Sequence, residues 1–185
     1  AEGRDYLERI MQAGFRMTEM IDDLLEYSRL GRRSMSMETV DLSSIAKEVA
    51  KELNERGPRK VEFAIQQDVK ATGDPQLLRV ALENLLDNAF KFTGTSTSPR
   101  IEFRVEELDG EPVYVVSDNG IGFSQQYVGK LFQPFERLHR TTDYPGTGIG
   151  LANVQRIVHR HGGRIWAQGV QGEGASFSFT LSSRP

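Results

Sequence analysis

Asp74-Pro75-Gln76-Leu77-Leu78-Arg79-Val80-Ala81-Leu82-Glu83-Asn84-Leu85-Leu86-Asp87-Asn88-Ala89-Phe90-Lys91-Phe92 reads as one amphipathic helix, and the two carboxamides set into it decide what kind of domain surrounds it. Asp74 is a cap, and Pro75 is favoured at the first helical position because its missing amide costs nothing there. Leu78, Leu82, Leu85, Ala89 and Phe92 recur at helical spacing and form the apolar face. Asn84 and Asn88 stand one turn apart, so two amides project together from an otherwise apolar helix. Amide oxygens can ligate magnesium, a hard cation that keeps much of its water and shares phosphate oxygens. Lys91, a turn beyond Asn88 on the adjoining face, can set its ammonium against a phosphate as a point charge. Taken alone, the segment is explained as well by a helix end with solvated polar residues.

Outward from this helix the chain alternates helix and strand. Asp41 can cap a helix carrying Ile45, Val49 and Leu53 that ends at Gly57 and Pro58. Val61, Phe63 and Ile65 alternate as a half-buried strand does. Ile101, Phe103 and Val105 run to a turn at Asp109-Gly110 and return through Val113 and Val115, a hairpin. A helix from about Gly150 to His161 stops at Gly162-Gly163, and two further strands surround the turn at Gly172–Gly174. The mixture predicts an α+β domain, a two-layer α/β sandwich whose mixed, mainly antiparallel sheet is covered by helices on one face.

Before it, Leu7, Ile10, Gly14, Met17, Ile21, Leu24 and Ser28 follow the three-and-four spacing of a heptad seam, which calls for a partner helix. Met11 and Leu25, with Met20 and Tyr27 on the other flank, widen the apolar face to suit a four-helix bundle; a helix lying on its own domain is the alternative. The expected division is therefore a coiled-coil-like helix over 1–31, a linker over 32–40 and a domain over 41–185.

Three other segments carry chemistry. Asp118-Asn119-Gly120-Ile121-Gly122-Phe123 follows a strand, where a carboxylate can accept a hydrogen bond from an exocyclic amine such as that of adenine. By itself Asp-Asn-Gly usually means a tight turn. Leu131-Phe132-Gln133-Pro134-Phe135-Glu136-Arg137 sets two phenylalanines around a proline, a pattern core packing explains equally well. Gly146-Thr147-Gly148-Ile149-Gly150-Leu151 is a glycine-rich loop opening a helix, where free amides and the helix dipole favour phosphate. It is neither the dinucleotide fingerprint nor a Walker loop: the spacing differs, and no acid follows where a ribose would need one.

In that order, and with Gly172-Glu173-Gly174-Ala175-Ser176-Phe177 near the end, these segments resemble the nucleotide-binding boxes of sensor histidine kinases. These kinases share the Bergerat-type ATP-binding fold with gyrase, a heat-shock chaperone and mismatch-repair proteins. The resemblance covers residues 40 to 182, and the heptad helix is similar to the second helix of the family's dimerisation and phosphotransfer hairpin. Residues 137 to 181 further resemble phytochrome-like sensor kinases. The resemblance implies Mg-ATP as substrate and metal, with Asn88 as the magnesium ligand and Asp118 as the reader of the adenine amine. It sets Lys91 and Arg137 at the phosphates, and, with Asn84, makes them the catalytic group. Gly120, Ile121 and Gly122 would lie beside the base, and Phe92 and Phe132 near ribose or base. Gly146, Thr147, Gly148, Ile149, Gly150 and Leu151 would meet the phosphates, residues 138 to 147 would form a lid, and Gly172, Gly174 and Ser176 would shape the last box. Hydrolytic relatives carry a glutamate four residues before the magnesium asparagine, where this chain has Asn84. Water needs such a base, whereas a neutral imidazole already exposes a lone pair near pH 7, so Asn84 favours kinase over ATPase. Glu83 points roughly 100° away round the helix.

The three histidines are His139 in the lid region, and His159 and His161 at a helix end, where a partly positive imidazole suits the dipole. As a metal pair the last two would supply only two ligands. None matches the family's phosphoacceptor, so that residue is expected on a helix upstream of Ala1. A response regulator receiver domain is the implied onward partner, and a homodimer through the N-terminal helix the implied assembly. A net charge of −3 with 26% charged residues argues against a nucleic-acid grip. No apolar run approaches the roughly 20 residues that span a bilayer, and the chain has no cysteine, so a cytoplasmic setting without membrane contact by these residues is expected, in a parent protein that is either membrane-anchored or soluble. An ATPase acting as a conformational switch, and a nucleotide-free docking module, are the competing readings.

Overall fold

The computed structural model describes residues 34–136 and 146–182 without interruption, and positions 6–7, 10–11, 13–15, 17–18, 20–22 and 24–25, all of them helical. Along this N-terminal helix Leu7, Ile10, Met17, Ile21 and Leu24 are each about half exposed or more, so the apolar seam is bare in the single chain. Ser28 of the expected seam and Tyr27 of its flank lie outside the described residues.

The domain begins with β1 (Glu38–Asp41) and α1 (Leu42–Glu55), followed by β2 (Glu62–Ile65), β3 (Lys70–Gly73) and α2 (Pro75–Phe92). The hairpin is β4 (Arg100–Leu108) and β5 (Glu111–Asp118); a 3-10 turn at Gln125–Lys130, α3 (Gly150–Arg160), β6 (Ile165–Val170) and β7 (Gly174–Thr180) complete the order. Asp41 accepts from the Ser44 amide and caps α1, and Asp74 accepts from Gln76 and Leu77 and caps α2. Asp109 and Gly110 both have positive φ, 55° and 79°, the backbone a two-residue hairpin turn requires.

Five strands form one sheet in the order β2-β4-β5-β7-β6, with β2 and β4 parallel and every other pairing antiparallel. Strand alternation separates the faces. Ile101, Phe103, Tyr114, Val116, Phe177 and Phe179 join one core with Leu78, Leu82, Leu85 and Leu86 of α2 and Val154, Ile157 and Val158 of α3. Tyr114 stacks on Phe179 with ring centroids 5.3 Å apart. The opposite face carries Glu102, Arg104, Ser117 and Ser178, and Arg104 bonds Glu102, Glu106 and Ser117 across it.

Two short strands differ from expectation. Glu38–Asp41 falls at the end of the expected linker, and Lys70–Gly73 carries no strand pattern of its own; they pair with each other, Val40 opposite Ala71. Neither has the length for alternation to show, and only their meeting makes either a strand. Ser43 tightens this corner, donating to the Gln66 carbonyl at 2.7 Å and accepting from the Val69 amide at 2.9 Å.

Candidate functional site

Helix α2 delivers the carboxamides, and α3 delivers the glycine loop at its N-terminus; the two helices pack side by side. Asn84 is half-buried, and its Nδ2 donates to the Val80 carbonyl at 2.8 Å, which aims Oδ1 at the first turn of α3. A Cβ on Gly150 would collide with that oxygen. One turn on, Asn88 is also half-buried and makes no hydrogen bond to any described residue, so its carboxamide oxygen is available to a ligand. Lys91 Nζ lies 4.6 Å over the Phe92 ring and 3.2 Å from where a Cβ on Gly146 would stand. Two α2 side chains thus bracket the glycine loop, Asn84 at Gly150 and Lys91 at Gly146. Gly146 and Gly148 have φ of 142° and 81°, conformations that disfavour any side chain. Ile149, at the N-cap, offers no side-chain bond to the first amides of α3, which suits an anion there.

At the other end, Asp118 closes β5. Its Oδ1 accepts from the Gly120 amide at 2.8 Å. Burial pushes its carboxyl up to about 6, with the Gly120 and Ala175 amides working against that rise. It remains largely ionised at pH 7, an acceptor that has shed most of its water. Asn119 fixes the corner: Oδ1 accepts from the Arg100 amide and Nδ2 donates to the Ser98 carbonyl, both at 2.8 Å.

The glycines of this segment answer to backbone packing. A Cβ on Gly120 would run into the Phe92 carbonyl, one on Gly122 into the Val170 carbonyl, and one on Gly174 into the Asp118 carbonyl. Ile121 donates to the Phe92 carbonyl at 3.2 Å, and its own carbonyl accepts from Gly172 at 2.7 Å. The Asp118 loop is thereby clamped between the end of α2 and the β6–β7 turn, which holds Asp118 and Phe92 in a fixed relation.

Not every expected residue joins this group. Ser176 stands opposite Ser117 and Gln168 on the outer face, while Ala175 is paired with Asp118; strand alternation turns Ser176 away from the site. Phe132 sets its ring edge-on to Phe177 with centroids 6.5 Å apart, so core packing accounts for much of it. Phe135 is half exposed at φ 66°, and its amide donates to the Gly148 carbonyl at 3.1 Å, joining this segment to the glycine loop. Arg137, His139 and lid positions 138–145 lie outside the described residues.

His161 also departs from expectation. It is only 3% exposed, and burial holds its pKa below the ordinary value, so it is no charged helix-end imidazole. Both ring nitrogens are engaged, Nδ1 with the Ile157 carbonyl and Nε2 with the Asp74 amide, which removes it as a metal ligand.

Arg59 is a site neighbour that the sequence does not signal. Its guanidinium lies 4.1 Å over the Phe90 ring and donates to the Phe90 carbonyl and Thr93 Oγ1, capping the end of α2 where Lys91 and Phe92 sit. Nothing in its loop context distinguishes it from a solvated arginine.

Residues 73–185 match the family described as histidine kinase-, DNA gyrase B-, and HSP90-like ATPase. The chain is similar to cyanobacterial phytochrome A of Nostoc sp., 34% identical over 98% of this chain and 24% of the relative. It is 33% identical to the sensor protein kinase WalK of Staphylococcus epidermidis over 90% of this chain and 28% of that protein. Full-length ShkA in complex with AMPPNP superposes with a TM-score of 0.72 at 27% identity, over all of this chain and 40% of ShkA. The mycobacterial sensor histidine kinase MprB gives 0.66 at 28% identity, over 81% of this chain and 99% of MprB. The chain spans about a quarter of the length of the phytochromes it matches. On the combined weight of the clamped Asp118 loop, the α2 carboxamides and these matches, the chain belongs to the histidine kinase-, DNA gyrase B- and HSP90-like ATPase family.

Proposed function

We propose that this chain binds Mg-ATP and transfers its γ-phosphoryl group to a histidine on another segment of its parent protein, for relay to a receiver-domain aspartate. The observation that carries the reading is the bracketing of one glycine loop by Asn84 and Lys91, with ionised Asp118 at a neighbouring strand end. Asp118 accepts from the adenine amine, Lys91 meets the phosphates as a cation, a role the family resemblance also assigns to Arg137, and the α3 amides receive phosphate oxygens. Phe92 borders the base or ribose. Magnesium fits the donor set: Asn88 offers a half-buried oxygen with no partner among the described residues, and the described part of the site supplies neutral oxygens rather than a carboxylate cage, as a cation shared with phosphates requires. When bound, the cation would neutralise charge on the phosphate oxygens.

Residues 1–31 serve in this reading as the second helix of a dimerisation and phosphotransfer hairpin, 32–40 as its connection and 41–185 as the catalytic domain. The bare seam at Leu7, Ile10, Met17, Ile21 and Leu24 supports a homodimer through this helix. No helix among the described residues is long and apolar enough to cross a membrane, and we place the domain in the cytoplasm.

Calorimetric titration with Mg-ATP tests the binding step, with saturable heat expected and thermal stabilisation alongside it. A chain extended upstream to include an acidic-flanked histidine should acquire acid-labile label from γ-labelled ATP, while the present chain should not. No heat and no stabilisation at millimolar Mg-ATP would refute the reading.

The ATPase alternative needs a base for water. Glu83, the nearest acid to Asn84, is held by Arg79 at 2.9 Å, and Arg79 is shared with Glu48 and Glu52 of α1. That contact draws Glu83 to the α1 side of the helix.

A further inference from the structure

We propose that His161 and Asp74 form a positioning pair that fixes α2, and with it Asn84, Asn88 and Lys91, against the glycine loop of α3. The proposal rests on the nucleotide reading above and assigns the pair no contact with nucleotide.

Asp74 and His161 are 2% and 3% exposed, and 87 residues separate them. The Asp74 amide donates to His161 Nε2 at 3.0 Å, and His161 Nδ1 lies 2.7 Å from the Ile157 carbonyl. A carbonyl can only accept and an amide can only donate, so the imidazole is neutral with its proton on Nδ1. It thus ties the last turn of α3 to the residue that caps α2. The Asp74 carboxylate is committed as well: Oδ1 accepts from Gln76 and Leu77, and Oδ2 accepts from the Ser36 amide at 3.0 Å. Ser36 belongs to the segment leading from the N-terminal helix into β1, so that connection is fastened to the same point. The surroundings leave the ring little freedom. A Cβ on Gly73 would stand 2.9 Å from the imidazole, and the His161 carbonyl accepts from Ser182 at 2.9 Å.

The two helices therefore touch at both ends of α3. Asn84 meets Gly150 where α3 begins, and His161 meets Asp74 where α3 ends and α2 begins. A helix pinned at two points cannot slide or pivot against its neighbour without breaking one contact. Three of the proposed phosphate and metal groups ride on α2, whose far end is held to the Asp118 loop at Phe92, while the glycine loop rides on α3, so loss of the pair should misplace the glycine loop relative to those groups and spare the Asp118 end of the site.

The test compares His161→Leu with His161→Gln, whose side-chain oxygen can still accept from the Asp74 amide. Affinities for Mg-ATP and for adenosine are measured by calorimetry at a temperature where thermal scans show each protein folded. His161→Leu should lose at least tenfold in Mg-ATP affinity and less than twofold in adenosine affinity, and His161→Gln should recover to within threefold of wild type. Should His161→Leu not fold, His161→Asn replaces it, since its shorter carboxamide falls short of the Asp74 amide. Wild-type Mg-ATP affinity in the folded apolar variant, or equal loss for both ligands, would overturn the positioning role. A wild-type chain that binds Mg-ATP at no concentration would instead overturn the nucleotide reading beneath it.

Discussion

The side-chain oxygen of Asn84 fills the space into which a Cβ on Gly150 would project. Gly150 has no positive φ to explain it, so its lack of a side chain is a matter of helix spacing. Gly150→Ala should therefore cost about 1–3 kcal/mol of stability in urea titrations, the usual penalty for overpacking a tight contact. Asn84→Ala opens the space, and the double variant should lose less than the two single losses summed. Additive losses would show that the two residues do not meet.

Asp118 sets a pH dependence in two opposite senses. Adenosine carries no phosphate, so its affinity isolates the carboxylate: it should hold steady above pH 7 and fall as pH drops through about 6, where Asp118 takes up a proton. Asp118→Asn should weaken Mg-ATP binding by roughly 10- to 100-fold, about 1.5–3 kcal/mol for one charged hydrogen bond. Stability runs the other way. The folded pKa, about 6, lies above the ordinary 3.8, so the ligand-free fold binds the extra proton between those values. The stabilisation that proton brings is full below pH 4 and gone above pH 6. Ligand-free Asp118→Asn should thus unfold at a higher temperature than wild type at pH 8, with the gain vanishing near pH 4.

The parts of this fold that announce themselves locally were legible in the sequence. Asp41 and the Asp74-Pro75 pair cap their helices by contacts within three residues, and the Asp109-Gly110 turn needs only its own backbone. What failed to show was made by distant partners. β1 and β3 exist because they pair with each other, and His161 is neutral because the Asp74 amide, 87 residues away, donates to its Nε2. Ser176 resembled a site residue by its place after Gly174, yet a shift of one residue along a strand reverses the face. Gly120, Gly122 and Gly174 were legible as important, but the backbone carbonyls they make room for come from Phe92, Val170 and Asp118.

Glu83 should be a bystander. Its pairing with Arg79 is a surface contact, with side chains 43% and 35% exposed, so Glu83→Gln should change stability by under about 1 kcal/mol. Any slow phosphate release from Mg-ATP should persist within twofold in that variant. A drop of tenfold or more, measured by a coupled phosphate assay, would make Glu83 a water-activating base and revive the ATPase reading.

Strand β6 lies at one edge of the sheet, where unpaired amides and carbonyls invite another strand. Gln125 occupies part of that edge from the 3-10 turn. Its Oε1 accepts from the Gly169 amide at 3.2 Å and its Nε2 donates to the Ala167 carbonyl at 3.4 Å, so one side-chain amide stands in for a residue of a neighbouring strand. Phe123 flanks it, its ring lying where a Cβ on Gly169 would otherwise go. Gln125→Ala removes the plug without disturbing the β6–β7 pairing, at a cost of about 0.5–1.5 kcal/mol for the lost hydrogen bonds. The variant should self-associate at concentrations where the wild-type oligomeric state is constant, visible as a rise in light-scattering mass. Gln125→Glu, which keeps one acceptor and adds an edge charge, should show no such rise. If Gln125→Ala and wild type scatter alike across that range, the β6 edge is protected by Phe123 and the turn backbone, and Gln125 is dispensable.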